Sequence, residues 1–404
     1  MNDWAFVEHV TQQLLRPRPG DSKHPTLWPS EASATYINDY GEEKATGKCR
    51  RAIFFRYLID CYKFYDKYKV WKPLVERLQR ESKPIDKYML WIWSAGELYE
   101  EYLIRKSKES GSFANEQVPV YIKSHNVSGK KDIEVINPQT HKRSIVEAKS
   151  VYGHGATSVI GKKPTSRTPG TMGEPRDSNL MQTAIYHWWS ASMDDAYEES
   201  RLVYGARDTG RYAEYLVRTV EEEGTIYIEW KPHHPYPGPW KRSHITINSI
   251  LDAYSFVQQC VDGGRIPERD FDIKYTDEQL DTMYERDEFG KTDREKYEKI
   301  KARKEENAWI ESMQSFANDD DMIHAANQIP ELLSAPTRRL LEQFNAFENM
   351  EGKYNKVKNK LVEALRKTNK KKELQPLEKG DWQCRYCKFA PICYNNDGEP
   401  QDIK

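Results

Sequence analysis

The chain has 404 residues, 62 Lys and Arg against 63 Asp and Glu, a formal net charge of −1, 38% hydrophobic residues and a mean hydropathy of −0.89. That length suits one large domain or two, and so polar a chain excludes a membrane-spanning protein. Charge near zero also excludes a general polycation, so any nucleic-acid contact must come from local patches. The first twenty residues lack a basic region followed by a long apolar run, so no secretory leader is expected.

In chain order, residues 1–90 read as a helical region apart from a polar, Pro-containing stretch at 17–48, and they carry Cys49 in the basic-aromatic segment KCRRAIFFRY. From about residue 88 to residue 274 the pattern is that of an α/β core. It opens on the helical stretch YMLWIWSAGELYEEYLI, interrupted by Gly96. An interior glycine costs about 1 kcal/mol relative to alanine, which points to close packing or a functional reason. Gly96 and Glu100, four apart, share a helix face; otherwise Glu97, Glu100 and Glu101 are the wet side of the helix.

Three short β-rich segments follow at 118–124, 132–136 and 144–149, the last two joined by the turn Asn137-Pro138-Gln139-Thr140. Strand alternation sets Glu147 and Lys149 on one face and Val146 and Ala148 on the other. A hairpin brings Asp132, at the start of one strand, near Glu147 on its partner. Two carboxylates held together repel unless something cationic neutralises them. A hard divalent ion is the usual answer, and Mg²⁺ takes one or two carboxylates plus water and phosphate oxygens.

The stretch 153–179, rich in Gly and Pro with Lys162, Lys163, Arg167 and Arg176, reads as a long structureless connection of the kind that is functional or disordered, here a mobile flap over a DNA strand. The helix after it sets Gln182 and Tyr186 on one face, with Trp188 and Trp189 assigned to the core. Strands are expected at 201–206 and 225–230 and a helix at 247–261. Residues 275–379 read as a helical insertion of mixed charge. Within it, residues 353–373 carry nine Lys and Arg against two Glu, either a solvated helix end or a phosphate-tracking surface. The final segment, 380–404, holds Cys384-x2-Cys387-x5-Cys393, while Cys61 and Cys260 stand alone as ordinary buried thiols.

The ordered set Gly96-x3-Glu100, Gly129-x2-Asp132, Glu147-x-Lys149 and Gln182-x3-Tyr186 resembles the RecB-like branch of the PD-(D/E)xK nucleases, which includes AddB-type and CRISPR-associated iron–sulfur nucleases. The resemblance implies a restriction-endonuclease-like core, a mixed central sheet flanked by helices. It implies a metal-dependent deoxyribonuclease in which Glu100, Asp132, Glu147 and the Ala148 carbonyl hold Mg²⁺ or Mn²⁺. Lys149 orients or helps deprotonate water, Gln182 contacts DNA or the nucleophile's surroundings, and Tyr186 braces its helix or touches the strand. Cys49, Cys384, Cys387 and Cys393 match the family's one upstream and three C-terminal ligands of a 4Fe–4S cluster; four thiolates also suit structural Zn²⁺. Thiols used in this way imply a reducing, cytoplasmic compartment, prokaryotic or viral. Two departures stand out: many exonucleases of the group carry histidine where this chain has Glu100, and little separates their last core helix from the cysteines. The function expected is an exonuclease on single-stranded or resected DNA ends. Its alternatives are an endonuclease or end-trimming subunit that docks a protein partner through the insertion, and a non-catalytic DNA-binding scaffold. Retention of both acids and the lysine counts against the scaffold.

Overall fold

A computed structural model of the chain describes residues 24–166, 168–194, 196–346, 351–395 and 400–401. Contacts divide the chain into two units, Met1–Ile273 with Gly380–Lys404, and Lys274–Lys379. Among the described residues no helix is long and apolar enough to cross a membrane.

The first unit is a mixed α/β assembly around a seven-stranded sheet. A small antiparallel pair, β1 (Ser33–Ile37) and β2 (Glu43–Gly47), precedes it. Its turn is built by Asn38, whose Oδ1 accepts from the backbone of Tyr40 and Glu42. The stretch 17–48, expected to be irregular, thus contains strands; its first part, like the rest of residues 1–23, lies outside the described residues. Helix α1 (Arg50–Phe64) buries Ala52 to Leu58 nearly all round, which makes it a core helix. Helices α2 (Lys72–Glu81) and α3 (Lys87–Glu109) follow; Asp86 caps α3 by accepting from the Tyr88 N–H.

Strands β3 (Phe113–Ile122), β4 (Val127–Ile136) and β5 (Arg143–Val151) form an antiparallel meander. The segment expected at 118–124 therefore begins earlier and ends in a turn of 3₁₀ helix at Lys123–His125. Asp132 lies inside β4 rather than at its start, because Val127 and Lys131 are buried and extend the strand upstream. After β5 the chain runs through α4 (Gly153–Ile160) and α5 (Asp177–Met193) to β6 (Ser200–Ala206), which pairs parallel to β5. A parallel pair requires such a crossover, and both faces of its strands are then covered.

The expectation of a structureless connection at 153–179 is corrected in this region. Ala156, Val159 and Ile160 bury α4 against the core, and Lys162 and Thr171 exchange two backbone hydrogen bonds of 2.9 and 3.1 Å. Tertiary burial overrides the weak helix propensity of a Gly-rich sequence. Arg167 lies outside the described residues. Strands β7 (Tyr212–Glu222), β8 (Thr225–His234) and β9 (Lys241–Thr246) complete the sheet in sequential order β3 to β9, and α6 (Ile247–Asp262) opens on a Thr246/Ser249 capping box.

The second unit is helical: α7 (Asp277–Glu285), α8 (Lys291–Ser315), α9 (Asp319–Gln328), α10 (Ala335–Ala346) and α11 (Glu351–Arg366). One apolar cluster centres on Phe289, Tyr297 and Ile300, another on Met313, Met322 and Leu361. In the basic run of this unit, Lys358 pairs with Asp320, Arg366 with Asp319, Lys367 with Glu363, Lys370 with Glu311 and Lys371 with Glu306. Much of the run is thereby neutralised within its own helices.

One polar network is built into the first unit. The Lys131 and Glu134 side chains, 6% and 1% exposed, form an ion pair; Lys131 also donates to Ser190 and Tyr197, and Asn115 donates to Glu134 at 3.1 Å. A buried pair with further hydrogen bonds tolerates joint apolar replacement better than loss of one partner. Lys131→Met should therefore cost about 3–5 kcal/mol in chemical denaturation, and adding Glu134→Leu to it should recover a large part of that loss. Additive losses in the double variant would contradict this.

Candidate active site and thiol pocket

The β4–β5 ladder pairs Ile136 with Arg143, Val135 with Ser144, Glu134 with Ile145 and Ile133 with Val146. Continuing that register by one pair sets Asp132 opposite Glu147. The backbone ladder stops there, and the Asp132 carboxylate instead accepts from the Ala148 N–H at 2.9 Å. Alternation places Lys149 on the face of Glu147, and its ammonium donates to Glu147 Oε1 at 2.5 Å. Glu147 is fully buried, and its other oxygen, Oε2, has no hydrogen-bond partner among the described residues.

Electrostatics follows from this packing. Burial, reinforced by Asp132 and opposed by Lys149, raises the pKa of Glu147. Burial likewise raises that of Asp132, against the pull of Lys149 and the Ala148 N–H. On Lys149 burial works downward, but Glu147 and Asp132 outweigh it and the pKa rises. Glu100, on α3, accepts a hydrogen bond from Gln117; burial, and then the charge of Asp132, raise its pKa to about 7.

Helix α3 is seated against the sheet by Tyr99, whose ring fills the space beside Gly205 of β6, where a Cβ would lie only 2.3 Å from it. Gly96 is different: the nearest atom to a Cβ there is Ser150 Oγ at 3.7 Å, an ordinary contact. The expectation that close packing demands Gly96 is not met.

Gln182 and Tyr186 are buried on α5. The Tyr186 hydroxyl comes so near Gly129 that a Cβ there would meet it at 2.5 Å, with Pro29 at 3.0 Å. The glycine of one motif is thus the socket for the tyrosine of another, a tertiary contact with no local signature. Burial, and then the charge of Glu147, push the phenol pKa upward, while hydrogen bonds from Gln182 and the Lys130 backbone lower it. Tyr186 stays neutral beside the acids. Trp188 and Trp189 pack against the core.

The four cysteines singled out in the sequence line one pocket of about 340 Å³, open mouth included. Cys49 is the N-cap of α1, Cys384 lies in the short helix α12 (Trp382–Arg385), and Cys393 ends α13 (Ala390–Cys393). Protein contacts bring these parts together: Phe55 meets Phe389 edge-on at 5.3 Å, Asp381 N–H donates to the Asp272 carbonyl at 2.7 Å, and Tyr394 donates to the Phe271 carbonyl at 2.7 Å. Burial raises the pKa of Cys49 to about 11 and that of Cys384 to about 12, and pushes Cys393 upward as well. Cys61 and Cys260 are buried elsewhere in the core.

Among the described residues, no three His, Cys, Asp or Glu side chains converge as a metal-holding group. The unsatisfied polar atoms are nonetheless concentrated. Of four buried side-chain N or O atoms without a partner among the described residues, Glu147 Oε2 lies in the acidic cluster, and Arg269 Nε and Gln383 Oε1 belong to residues lining the thiol pocket. Buried polar groups are ordinarily satisfied, and an absent ion is one recognised explanation when they are not. The donor chemistry fits both groups: carboxylates for a hard divalent cation, thiols for iron–sulfur or zinc.

No protein-family model, curated protein or solved structure matches this chain.

Two expectations follow. Gly129→Ala should destabilise by about 1–3 kcal/mol through overpacking against Tyr186, whereas Gly96→Ala should stabilise by about 1 kcal/mol, both read by denaturant melts. Equal effects at the two sites would contradict the packing described. A cation requires ionised ligands, so Glu100 and Glu147 must release protons when one binds. Calorimetric titration of Mn²⁺ should accordingly show tighter binding at pH 8 than at pH 6, with proton release; affinity independent of pH would contradict it.

Proposed function

We propose that this chain is a metal-dependent nuclease of the RecB-like PD-(D/E)xK type, hydrolysing phosphodiester bonds in DNA that has free, single-stranded or resected ends. The observation that carries the proposal is the pair of half-buried Asp132 and buried Glu147, set opposite one another with Lys149 alongside and one glutamate oxygen without a partner among the described residues. The mixed sheet, with α3 and α5 supplying Glu100, Gln182 and Tyr186, supports a restriction-endonuclease-like core for this reading.

Asp132, Glu147 and the Ala148 carbonyl, with Glu100 as a further donor, would hold Mg²⁺ or Mn²⁺, which when bound offsets charge on the phosphate and lowers the pKa of water. The residues divide the remaining work. Lys149, paired with Glu147, offers a cation to the scissile phosphate and orients or helps deprotonate the attacking water. Asp132 is fixed by the Ala148 N–H, so the carboxylate does not reorganise as charge develops. Tyr186 braces the β4 backbone at Gly129 and Lys130 from the α5 side, and Gln182 hydrogen-bonds Tyr186. In the thiol pocket, Cys49, Cys384, Cys387 and Cys393 would hold a 4Fe–4S cluster, and the same donors also suit Zn²⁺.

Purified protein with Mg²⁺ or Mn²⁺ should degrade linear DNA and spare covalently closed circles. Asp132→Ala and Lys149→Ala should each lower cleavage at least 10²-fold, with the thermal melt of the metal-free protein preserved. Undiminished metal-dependent cleavage by either variant would remove the site assignment. Loss of the circles would make the enzyme an endonuclease.

A further inference from the structure

We infer that Arg51 and Arg269 are the charge partners of an anionic inorganic group held by the four thiols, and that they set its reduction potential. The inference rests on reading that pocket as a 4Fe–4S site. Four thiolates around a dicationic cluster leave a net charge of about −2, and one added electron deepens it. The pocket also contains Phe55, Phe271 and Phe389, an environment in which unpaired charge is costly.

Both guanidinium groups are placed to offset that charge. Arg51 and Arg269 line the pocket, and both act on the Cys393 sulfur, to which Arg51 also hydrogen-bonds. The Arg51 Nε–H donates to the Pro267 carbonyl at 2.5 Å, which fixes the plane of the group. Arg269 lies over the Tyr394 ring at 5.1 Å, and its buried Nε–H has no acceptor among the described residues. Leaving a charged donor unsatisfied costs more than leaving a neutral one. Thiolate or sulfide sulfur is the acceptor the pocket's chemistry would provide.

The nearby acids act on other thiols than Cys393. Asp270, against Cys49, is engaged by Arg50 through Nε at 2.8 Å and Nη2 at 2.5 Å. Asp381, whose charge reaches Cys384, accepts from the Asp272 N–H at 2.8 Å. The side-chain cations acting on Cys393 are Arg51 and Arg269, and no acid figures among the main influences on that thiol. Hydrogen bonds to sulfur and net local charge are two of the main controls on the potential of such a cluster. A positive field favours the more negative, reduced state.

The test uses full-length protein purified without oxygen, as wild type, Arg51→Gln, Arg269→Gln and Arg269→Lys. Iron and sulfide content are measured first, then the midpoint potential by optical and spin-resonance titration with dithionite as electron donor. Both glutamine variants should shift the midpoint to more negative values at unchanged cluster content, and Arg269→Lys should shift it less. Unshifted or more positive midpoints in both glutamine variants overturn the inference and leave the cluster reading intact. Where a glutamine variant does not retain the cluster, Arg269→Lys decides: wild-type content supports the charge role, and loss there too overturns it. Wild-type protein that holds zinc and no iron or sulfide overturns both.

Discussion

Two carboxylates facing one another across a strand pair, in a place water hardly reaches, are the constraint around which this molecule is arranged. The β4–β5 register forces Asp132 and Glu147 together, and the ladder ends where their side chains begin to replace backbone partners. A single ammonium, Lys149, stands against them. One cation faces two acids; burial raises the pKa of both, and one oxygen of Glu147 has no partner among the described residues. The surrounding elements hold this arrangement in position: α3 by the seating of Tyr99 at Gly205, and α5 by the seating of Tyr186 at Gly129.

The parts legible in the sequence were those that depend on local periodicity. Alternation gave Glu147 and Lys149 a shared face, the Asn-Pro turn located the hairpin, and the patterns at 201–206 and 247–261 match β6 and α6 closely. What was illegible depends on distant partners. Lys131 falls just outside the segment expected as a strand, and burial with Glu134, Ser190 and Tyr197 goes with its place inside β4. Helix α4 opens on Gly153, His154 and Gly155, and only Ala156, Val159 and Ile160 give it an apolar face for the core to receive. The Gly129–Tyr186 socket joins residues far apart in the chain, and Gly96, the more conspicuous glycine in the sequence, has ordinary space around it.

The two candidate sites share a physical signature. In an otherwise satisfied interior, the leftover polar atoms fall mainly at the acid pair and at the thiol pocket, the places where the sequence asks for inorganic partners. The thiol pocket is assembled by contacts between α1 and the C-terminal segment, so its donors are gathered by the fold itself. The helical unit Lys274–Lys379 carries its own apolar clusters and internal ion pairs, the marks of a self-sufficient module.

The central claim is that a divalent ion belongs between the aspartate of β4 and the glutamate of β5. Its most direct test is anomalous X-ray scattering at the manganese edge from crystals of the protein grown or soaked with Mn²⁺. The account predicts an anomalous peak within bonding distance of both the Asp132 and Glu147 carboxylates. Manganese bound only elsewhere, with Lys149 still paired to Glu147, would contradict it.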